Sequence, residues 1–324
     1  MKTASLFCCF ALALAGCETT VTLPEPPHTP RVALLCTLSA APQDSSFQEL
    51  YDGRQLYISN SQRVFDASNL VGRPDAAVEL RDASGRVVER FRALGAQSAG
   101  GNGYVGYYRP RLGFRPLPGQ AYTLRATLPG LETAESTLTL PAPAVVESAA
   151  YAPRAGGGGS PQDFRGRLTV ALRDDPAAAN YYLAYARALD AQGQPGPWSP
   201  LEMDDDDQGS GFGIGQFQLS TPRRQYARLF PFADTDANGQ RLTLAADVRF
   251  RANCFGGASC PPPAFIEVVV STITADAYEF YLSRRRYDDS DGNPFAEPAP
   301  LTSNVRPGYG LFGGATDVAV RIRL

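Results

Sequence analysis

Short segments in which apolar and polar residues alternate recur along the chain and predict β-strands. In the first of them, residues 31–38, the apolar side chains share one face, as in a half-buried strand: Val32, Leu34, Cys36 and Leu38. The segments 76–80 and 87–91 flank Asp82-Ala83-Ser84-Gly85, whose residues favour a hairpin turn. The other predicted strands of this half are 55–59, 103–108, 122–128 and 133–140. Short strands separated by turns are typical of a β-sandwich, and we expect an immunoglobulin-like one over residues 31–141.

Pro141-Ala142-Pro143 marks the predicted start of a second β-sandwich domain, residues 142–324. The glycine-rich residues 155–161 suit either an interdomain linker or a hairpin loop, and we prefer the hairpin because 145–151 already resembles a strand. The chain ends in an alternation that predicts a terminal strand, with Val318, Val320, Ile322 and Leu324 inward and Asp317, Ala319, Arg321 and Arg323 outward. The further predicted strands are 167–173, 181–189, 216–220, 242–250 and 265–272.

One segment, residues 274–286, has helical spacing. Thr274 can cap this helix and Asp276 lies in its first turn, while the arginines near its end complement the helix dipole: Arg284, Arg285 and Arg286. Tyr278, Tyr281 and Leu282 share a face, which we interpret as a core contact rather than a binding stripe. The predicted fold class is therefore all-β, with two β-sandwich domains, the first immunoglobulin-like and the second with one short helix.

The amino terminus has the pattern of a secretory signal, because Lys2 precedes an apolar run over residues 6–14 and small residues lead to Cys17. The run is shorter than the ~20 apolar residues that span a bilayer. Leu14-Ala15-Gly16-Cys17 resembles the bacterial lipobox, which implies cleavage after Gly16 and acylation of the Cys17 thiol with chains such as palmitate. The alternative is an ordinary signal followed by a chance cysteine. We expect a lipoprotein signal peptide at 1–16 and a lipidated, proline-rich tether at 17–30, which places the protein in the cell envelope.

Composition excludes several kinds of catalytic site. The only lysine is Lys2 and the only histidine is His28, so residues 31–324 have neither a histidine base nor a lysine nucleophile. This excludes Ser-His-Asp and Cys-His sites, histidine-ligated zinc and pyridoxal chemistry from the folded part, and we expect no cofactor. Carboxylates remain the one common acid–base pair. The net charge of −3 does not indicate nucleic-acid binding.

Three of the six cysteines follow Cys17. Cys254 and Cys260 bracket the short loop 255–259, and secretion permits the disulfide that we predict between them. Cys36 lies in an alternating apolar segment, where we interpret it as a buried small apolar residue.

The residues 234–239 match the first half of a calcium-binding loop, through Asp234, Asp236 and Asn238. The position of the bidentate glutamate that completes such a loop holds Ala245, and the Asn-Gly pair precedes a predicted strand. A hairpin turn therefore explains the segment better than calcium does, and we predict no metal site.

Two other acidic segments, 204–207 and 288–293, are interpreted as solvated loops, with a calcium site of millimolar affinity as the alternative. Trp198, the sole tryptophan, lies in Gln194-Pro195-Gly196-Pro197-Trp198. A platform for a sugar ring is one interpretation, and a loop anchor is the one that we prefer.

The segments 293–298, 302–305 and 308–314 resemble a Bacteroidota lipoprotein family, the domain of unknown function DUF4249. They read Asn-Pro-Phe-Ala-Glu-Pro, Thr-Ser-Asn-Val and Gly-Tyr-Gly-Leu-Phe-Gly-Gly. Residues 75–85 resemble the first-half hairpin of that family, residues 118–124 its Pro-Gly-x-x-Tyr-x-Leu strand, and Cys254 and Cys260 its paired cysteines. From the residues alone, Gly308, Gly310, Gly313 and Gly314 permit unusual backbone or close approach, and Phe295, Tyr309 and Phe312 can pin a loop there, with a ligand loop as the alternative.

The resemblance implies an outer-membrane lipoprotein without established activity, and a TonB-dependent transporter of the outer membrane is the partner that it suggests. Only Glu18 follows Cys17 closely, so the periplasmic and surface faces both stay open. We expect a non-enzymatic module that binds a ligand or assists a transporter. The alternatives are a structural or adhesive surface module and a carboxylate-based glycan hydrolase.

Overall fold

The structure is a computed structural model of the whole chain. It describes residues 26–41, 53–63, 66, 71–95, 105–154, 163–204, 217–221, 228–235, 239–253, 262–290 and 299–324. One compact unit comprises Pro30–Ser61 and Leu70–Leu324, and all the strands and the helix given below lie in it. The structure describes 26–29, 62, 63 and 66 of the second unit, which comprises Met1–Thr29 and Gln62–Asn69. The predicted signal peptide, Cys17, most of the tether and the pair Cys254 and Cys260 lie outside the described residues.

The described elements are strands and one helix, α1, which confirms the predicted all-β class. The strands of the first half are β1 Val32–Ala40, β2 Leu56–Asn60, β3 Ala77–Asp82, β4 Val87–Ala93, β5 Tyr107–Pro110, β6 Ala121–Thr127 and β7 Ala134–Thr139. Those of the second half are β8 Val145–Pro153, β9 Asp163–Arg173, β10 Tyr181–Leu189, β11 Glu202–Met203, β12 Phe232–Ala233, β13 Arg241–Arg251, β14 Phe265–Ile273 and β15 Gly308–Arg323. Helix α1 covers Ala275–Ser290.

Two sheets form the unit. The larger has the strand order β12-β10-β14-β15-β1-β2-β5-β4-β3-β6-β7, and the smaller has the order β11-β13-β9-β8. At the end of the larger sheet, Glu135 of β7 pairs with Arg306, two residues before β15. The strands β1 to β7 thus curve around one apolar core, to which Phe312 of β15 also contributes. The predicted division near residue 141 into two domains stays a prediction.

The smaller sheet packs on β10, β14 and β15, and a second apolar core fills the space between these layers. This core joins Leu168 and Val170 of β9 to Val268 and Val270 of β14. Burial of such side chains is the main stabilising contribution of a two-layer β-sandwich. Strands β8 and β9 pair antiparallel from Pro153↔Gly166 onward, on either side of the glycine-rich residues 155–161. Those residues lie outside the described part of the chain, so the hairpin interpretation stays a prediction.

Strand β15 joins the two halves. Its first part pairs parallel with β1, from Val32↔Gly308 to Ala40↔Thr316, and its second part pairs antiparallel with β14, from Phe265↔Arg323 to Ile273↔Ala315. The loop predicted at residues 308–314 is therefore wrong, because these residues form the first part of β15, an interior strand of the larger sheet. Gly310 has φ of 109°, and a Cβ there would lie 1.8 Å from the carbonyl oxygen of Leu34, so close approach of β1 requires glycine.

The terminal alternation is confirmed only in part. Val320 and Ile322 pack against the second core, as predicted, whereas Leu324 is 45% exposed. Asp317 was predicted to face outward, but it is 4% exposed. At this position β15 lies between β1 and β14, and Asp317 meets a buried arginine there, as described below.

Helix α1 runs four residues beyond its predicted end, so the three arginines precede a last turn that contains Asp288 and Asp289. The dipole prediction for these arginines is therefore wrong. The Thr274 hydroxyl accepts a hydrogen bond from the Gly314 N–H of β15, at 3.2 Å, instead of capping the helix. Tyr281 is buried, which confirms the core contact.

The strand predicted at residues 216–220 is not observed in the described residues 217–220. The described residues 217–220 have no strand pairing, and Ser220 N–H bonds Ala184 of β10 only singly, at 2.8 Å. A single hydrogen bond does not form a β-ladder, so the alternation of residues 216–220 did not predict strand pairing correctly. The two-residue strands β11 and β12 were not predicted, because they are too short to show a period.

Candidate functional site

A cleft of about 460 Å³ opens between β1, the start of β2, β4 and the connection from β5 to β6. Its volume lies in the range of ~300–1,000 Å³ that is typical of small-molecule sites. The β1 residues that line it are Cys36, Thr37, Leu38 and Ser39, and the other lining residues are Arg54, Gln55, Leu56, Leu80, Glu89, Phe91, Tyr108, Arg109, Pro110, Phe114 and Pro116.

The greater part of this wall is apolar. Leu56, Leu80 and Tyr108 belong to the first core and are nearly inaccessible, and Leu38, Phe91 and Phe114 pack against it. The Tyr108 hydroxyl donates to the Arg73 carbonyl at 2.6 Å and accepts from the Ala76 N–H at 2.9 Å. Because that hydroxyl is already bonded, the Tyr108 ring contributes an apolar surface to the cleft wall.

Cys36 adds a further small apolar group to the wall. Its thiol is free and buried, and burial raises its pKa to about 12. It therefore stays protonated at neutral pH, where it is a poor nucleophile. The prediction of a buried, small apolar Cys36 is confirmed.

At one end of the cleft, Arg54 forms a buried polar cluster. Its Nη1 donates to Ser39 Oγ at 2.9 Å and to Asp317 Oδ2 at 2.7 Å, and its Nη2 donates to Ser271 Oγ at 2.9 Å. Ser271 in turn donates to Asp317 Oδ1 at 2.5 Å. Because Ser39 Oγ accepts from Arg54, its own proton is left to donate to a second group.

The charge of Arg54 is stable despite its burial. Burial alone would lower the pKa of the guanidinium, but the charge of Asp317 and the neighbouring Tyr185 outweigh it and raise that pKa. The ion pair leaves the cluster neutral overall. The cleft thus ends in hydrogen-bonding groups without an uncompensated charge.

At the opposite wall, Glu89 of β4 holds the connection between β5 and β6. Its Oε1 accepts from the N–H groups of Arg90, Arg111 and Leu112 at 2.8, 2.9 and 2.6 Å, and its Oε2 accepts from Phe114 N–H at 2.8 Å. Burial of the carboxylate opposes ionisation, but these four bonds outweigh it and keep the pKa of Glu89 below its ordinary value. This carboxylate is an internal anchor for the loop.

The structure places the described acidic candidates away from the cleft. Asp234, directly after β12, is 2% exposed, and its Oδ2 accepts from Asn180 N–H at 2.9 Å and from Asn180 Nδ2 at 3.3 Å. Burial, together with the adjacent Asp174, raises the pKa of Asp234. Asp236 and Asn238 lie outside the described residues. In the described part of the chain, no group of three or more His, Cys, Asp or Glu residues could hold a metal ion.

The loop interpretation of the other acidic segments needs correction. Asp204 is buried, with an ion-pair distance of 3.6 Å to Arg165, and its N–H bonds the Asp247 carbonyl at 2.9 Å. Asp288 and Asp289 are exposed but lie in α1. Residues 205–207 and 291–293 lie outside the described residues.

Trp198 is 9% exposed and belongs to the second core. It covers Gly196 so closely that a Cβ there would lie 1.9 Å from the indole ring. The ring is therefore a loop anchor, as preferred, and it is not a surface on which a sugar could stack.

Sequence reasoning missed three buried charged residues at or beside the cleft, Glu89, Arg54 and Asp317. The sequence did offer a sign of the burial of Glu89. It alternates with Val87 and Phe91 in β4, so it lies on the same face of the strand as these apolar residues. Asp317 is a lone charge between small or apolar neighbours, which was the available sign of a buried partner. Arg54 has no such signal, because its partners come from strands far away in the chain.

Comparison with protein families finds one match, over residues 44–321, to the family described as "Domain of unknown function (DUF4249)". The matched range includes almost all of the described strands, the helix and every residue that lines the cleft except Cys36, Thr37, Leu38 and Ser39 of β1. No curated protein matches the chain.

Proposed function

Since the chain belongs to the DUF4249 family, whose function is unknown, we propose a function from its own cleft. The protein is an envelope lipoprotein that binds a small, largely apolar ligand with a hydrogen-bonding end. The ligand lies between β1, β4 and the connection from β5 to β6, and the protein does not transform it.

The observation that carries the proposal is the cleft's division into an apolar wall and a neutral polar end. Such a division is the usual form of small-molecule sites, in which a few polar groups orient a mostly apolar ligand. Ser39 supplies a hydroxyl whose proton is not engaged by Arg54, and Arg54 is fixed by Asp317 and Ser271. A preorganised polar end reduces the entropy that binding would otherwise cost.

The state of Glu89 supports binding rather than hydrolysis. It is the one carboxylate among the described residues that line the cleft, and glycoside hydrolysis generally uses a pair. Its two oxygens already accept four backbone N–H groups, and its pKa is lowered, so it is a poor proton donor to a substrate.

Attachment through acylated Cys17 is part of the proposal, and its support is the pattern of residues 2–17. In the part of the chain that the structure describes, no helix is long and apolar enough to cross a bilayer. A TonB-dependent transporter is the proposed protein partner, and a pull-down from solubilised outer membrane tests it.

Displacement of a fluorescent apolar probe tests the binding function. Straight-chain fatty acids and alcohols of increasing length compete for the probe, and we expect affinity to rise with length and then stop rising when the cleft is full. Leu38→Trp, at a half-buried position of the cleft wall, should abolish displacement. Leu301→Trp, at an exposed leucine that does not line the cleft, is the matched control. Binding that is equal in both variants, or absent from the unmodified chain, refutes the function.

A further inference from the structure

The connection between β5 and β6 exposes two leucines beside the cleft. Within residues 110–118, here called the β5–β6 loop, Leu112 is 60% exposed and Leu117 is 62% exposed, while Phe114 and Pro116 face the cleft. Isolated exposed leucines are common on proteins and need no explanation by themselves. The backbone and the charges of this loop are what make the pair informative.

Most backbone N–H groups of the β5–β6 loop are bonded to buried side chains of the neighbouring strands. Its nine residues include three prolines, Pro110, Pro116 and Pro118, so six N–H groups remain. Four of these are bonded to buried acceptors, those of Arg111, Leu112 and Phe114 to Glu89 and that of Leu117 to the Tyr122 hydroxyl at 3.0 Å. Irregular loops normally avoid lipid because unbonded N–H groups are costly there. Because four of its six N–H groups are already bonded, this loop would lose less free energy on contact with lipid than an ordinary loop.

The charged residues of the β5–β6 loop, and the one that directly precedes it, are all arginines. Arg109, Arg111 and Arg115 are exposed, and among the described residues no carboxylate forms an ion pair with any of them. Glu89, whose carboxylate accepts from the N–H groups of this loop, is buried and bonded to backbone. The whole chain has a net charge of −3, so this basic cluster is a local departure from its average. Apolar residues that alternate with basic ones in a surface segment favour binding to anionic lipid.

We propose that the β5–β6 loop docks on the surface of an anionic bilayer, with Leu112 and Leu117 among the lipid headgroups. The arginines then meet lipid phosphates, and the cleft opens beside the membrane. The partner is lipid rather than protein because Glu89 keeps the backbone donors of the loop from pairing with another chain. The inference rests on the proposed function for the identity of the cleft as a binding site, and its experiment uses the proposed acylation of Cys17 to attach the chain to vesicles.

A tryptophan at position 112 tests the docking directly. Trp198 is the only native tryptophan, so the double variant Trp198→Phe, Leu112→Trp carries one reporter in the loop. The full chain is incorporated by its own amino terminus into vesicles of phosphatidylcholine with phosphatidylglycerol. We expect a blue shift of the emission on incorporation and loss of intensity when the acyl chains carry bromine, which quenches tryptophan only within the lipid. Both effects should shrink in vesicles of phosphatidylcholine alone.

Leu301→Trp in the same background is the matched control, because Leu301 is an exposed leucine outside the loop, and its emission should not respond to bromine. Adding Arg111→Glu and Arg115→Glu to the loop reporter should reduce the quenching in anionic vesicles. If Trp198→Phe prevents folding, Leu112→Trp alone serves, since Trp198 is buried and contributes a constant signal.

Emission at position 112 that ignores bromine in anionic vesicles overturns the proposal, as does a response only to added outer-membrane protein. Quenching of equal depth in the charge-reversed variant overturns the role of the arginines. Probe displacement without vesicles, measured on the same variants, separates this inference from the proposed function. If the probe is displaced but the tryptophan is not quenched, the proposed ligand site is supported and membrane docking of the β5–β6 loop is refuted.

Discussion

Arg54 and Asp317 are 263 positions apart in the chain and form a buried ion pair, with 2.7 Å between Nη1 of the arginine and Oδ2 of the aspartate. The arginine precedes β2 at the end of the cleft, and the aspartate lies in β15, where that strand passes from β1 to β14. The pair therefore connects the end of the cleft to β15, the strand that joins the two halves of the larger sheet. Ser271 of β14 bonds to both members and extends this tie to a third segment.

Removing one member of this ion pair should destabilise the folded protein. We expect Asp317→Ala to lower the free energy of unfolding by about 3–5 kcal/mol, because an unpaired buried guanidinium remains. Urea denaturation measures the change. Arg125→Ala removes the exposed Arg125–Glu135 pair and is the control, with an expected cost of about 0–1 kcal/mol. The double variant Arg54→Met, Asp317→Leu should recover much of the loss, and equal losses in the single and double variants would contradict a role for the unpaired charge.

The same pair shows where sequence reasoning reaches its limit. Strand β10 is predicted with its observed bounds, Tyr181–Leu189, because its run of aromatic and apolar residues favours a strand without reference to distant partners. Residues 308–314 are predicted as a loop because their glycines permit unusual backbone or close approach, and the structure shows close approach within a strand, where pairing with Leu34 and its neighbours selects glycine. Leu34, which approaches Gly310, and Arg54, which pairs with Asp317, come from the other end of the chain. Local periodicity contains no information on such pairing, so the cleft could not be predicted either.

Glu89→Gln should destabilise the β5–β6 loop. The amide oxygen can replace one carboxylate oxygen, but the amide nitrogen would face a backbone N–H, and one unsatisfied donor costs about 1–3 kcal/mol. The pKa of Glu89 is lowered in the folded state, so its contribution is present above the ordinary carboxyl pKa and is lost as the pH falls through the folded value.

Unfolding measured as a function of pH checks this expectation. The difference between the unmodified chain and Glu89→Gln should be largest near neutral pH and should shrink on acidification. Glu132→Gln, at an exposed carboxylate, is the control and should change little. A difference that is independent of pH would mean that Glu89 has the same pKa in the folded and unfolded states, which would contradict the lowered folded value.

Gly310→Ala should be more harmful than Gly113→Ala, although both glycines have positive φ, 109° and 73°. An alanine at Gly113 meets no atom within 4 Å, so its cost is the backbone strain alone, about 1–2 kcal/mol. At Gly310 the Cβ would overlap the Leu34 carbonyl and force β15 away from β1. Thermal unfolding of the two variants measures the difference. Equal losses would show that φ, and not close approach, explains the glycine at position 310.

Cys17→Ser should remove the membrane attachment if Cys17 is acylated. We expect the variant to incorporate no labelled fatty acid and to be released by a carbonate wash, which leaves acylated proteins in the membrane. Cys36→Ser is the matched control, because its thiol is buried and unreactive and should not affect attachment. A Cys17→Ser protein that stays in the washed membrane would contradict the lipoprotein proposal.

The remaining cysteines should divide into one free thiol and one disulfide. Strand β13 ends at Arg251 and β14 begins at Phe265, so Cys254 and Cys260 lie in the connection between these strands. Pro261, Pro262 and Pro263 follow and cannot donate ladder hydrogen bonds, so this connection needs another restraint. A disulfide across so short a loop should stabilise the fold by about 2–3 kcal/mol at most.

Thiol counting on the mature chain, denatured without reduction, measures this division. We expect one reactive thiol, Cys36, because Cys17 is blocked by lipid and the other two are paired. The same count on the folded chain should find that thiol unreactive, because burial raises the pKa of Cys36 to about 12. Three thiols in the denatured chain would refute the bond. A mapped peptide that joins Cys36 to Cys254 or Cys260 would instead contradict the free, buried state of Cys36 on β1.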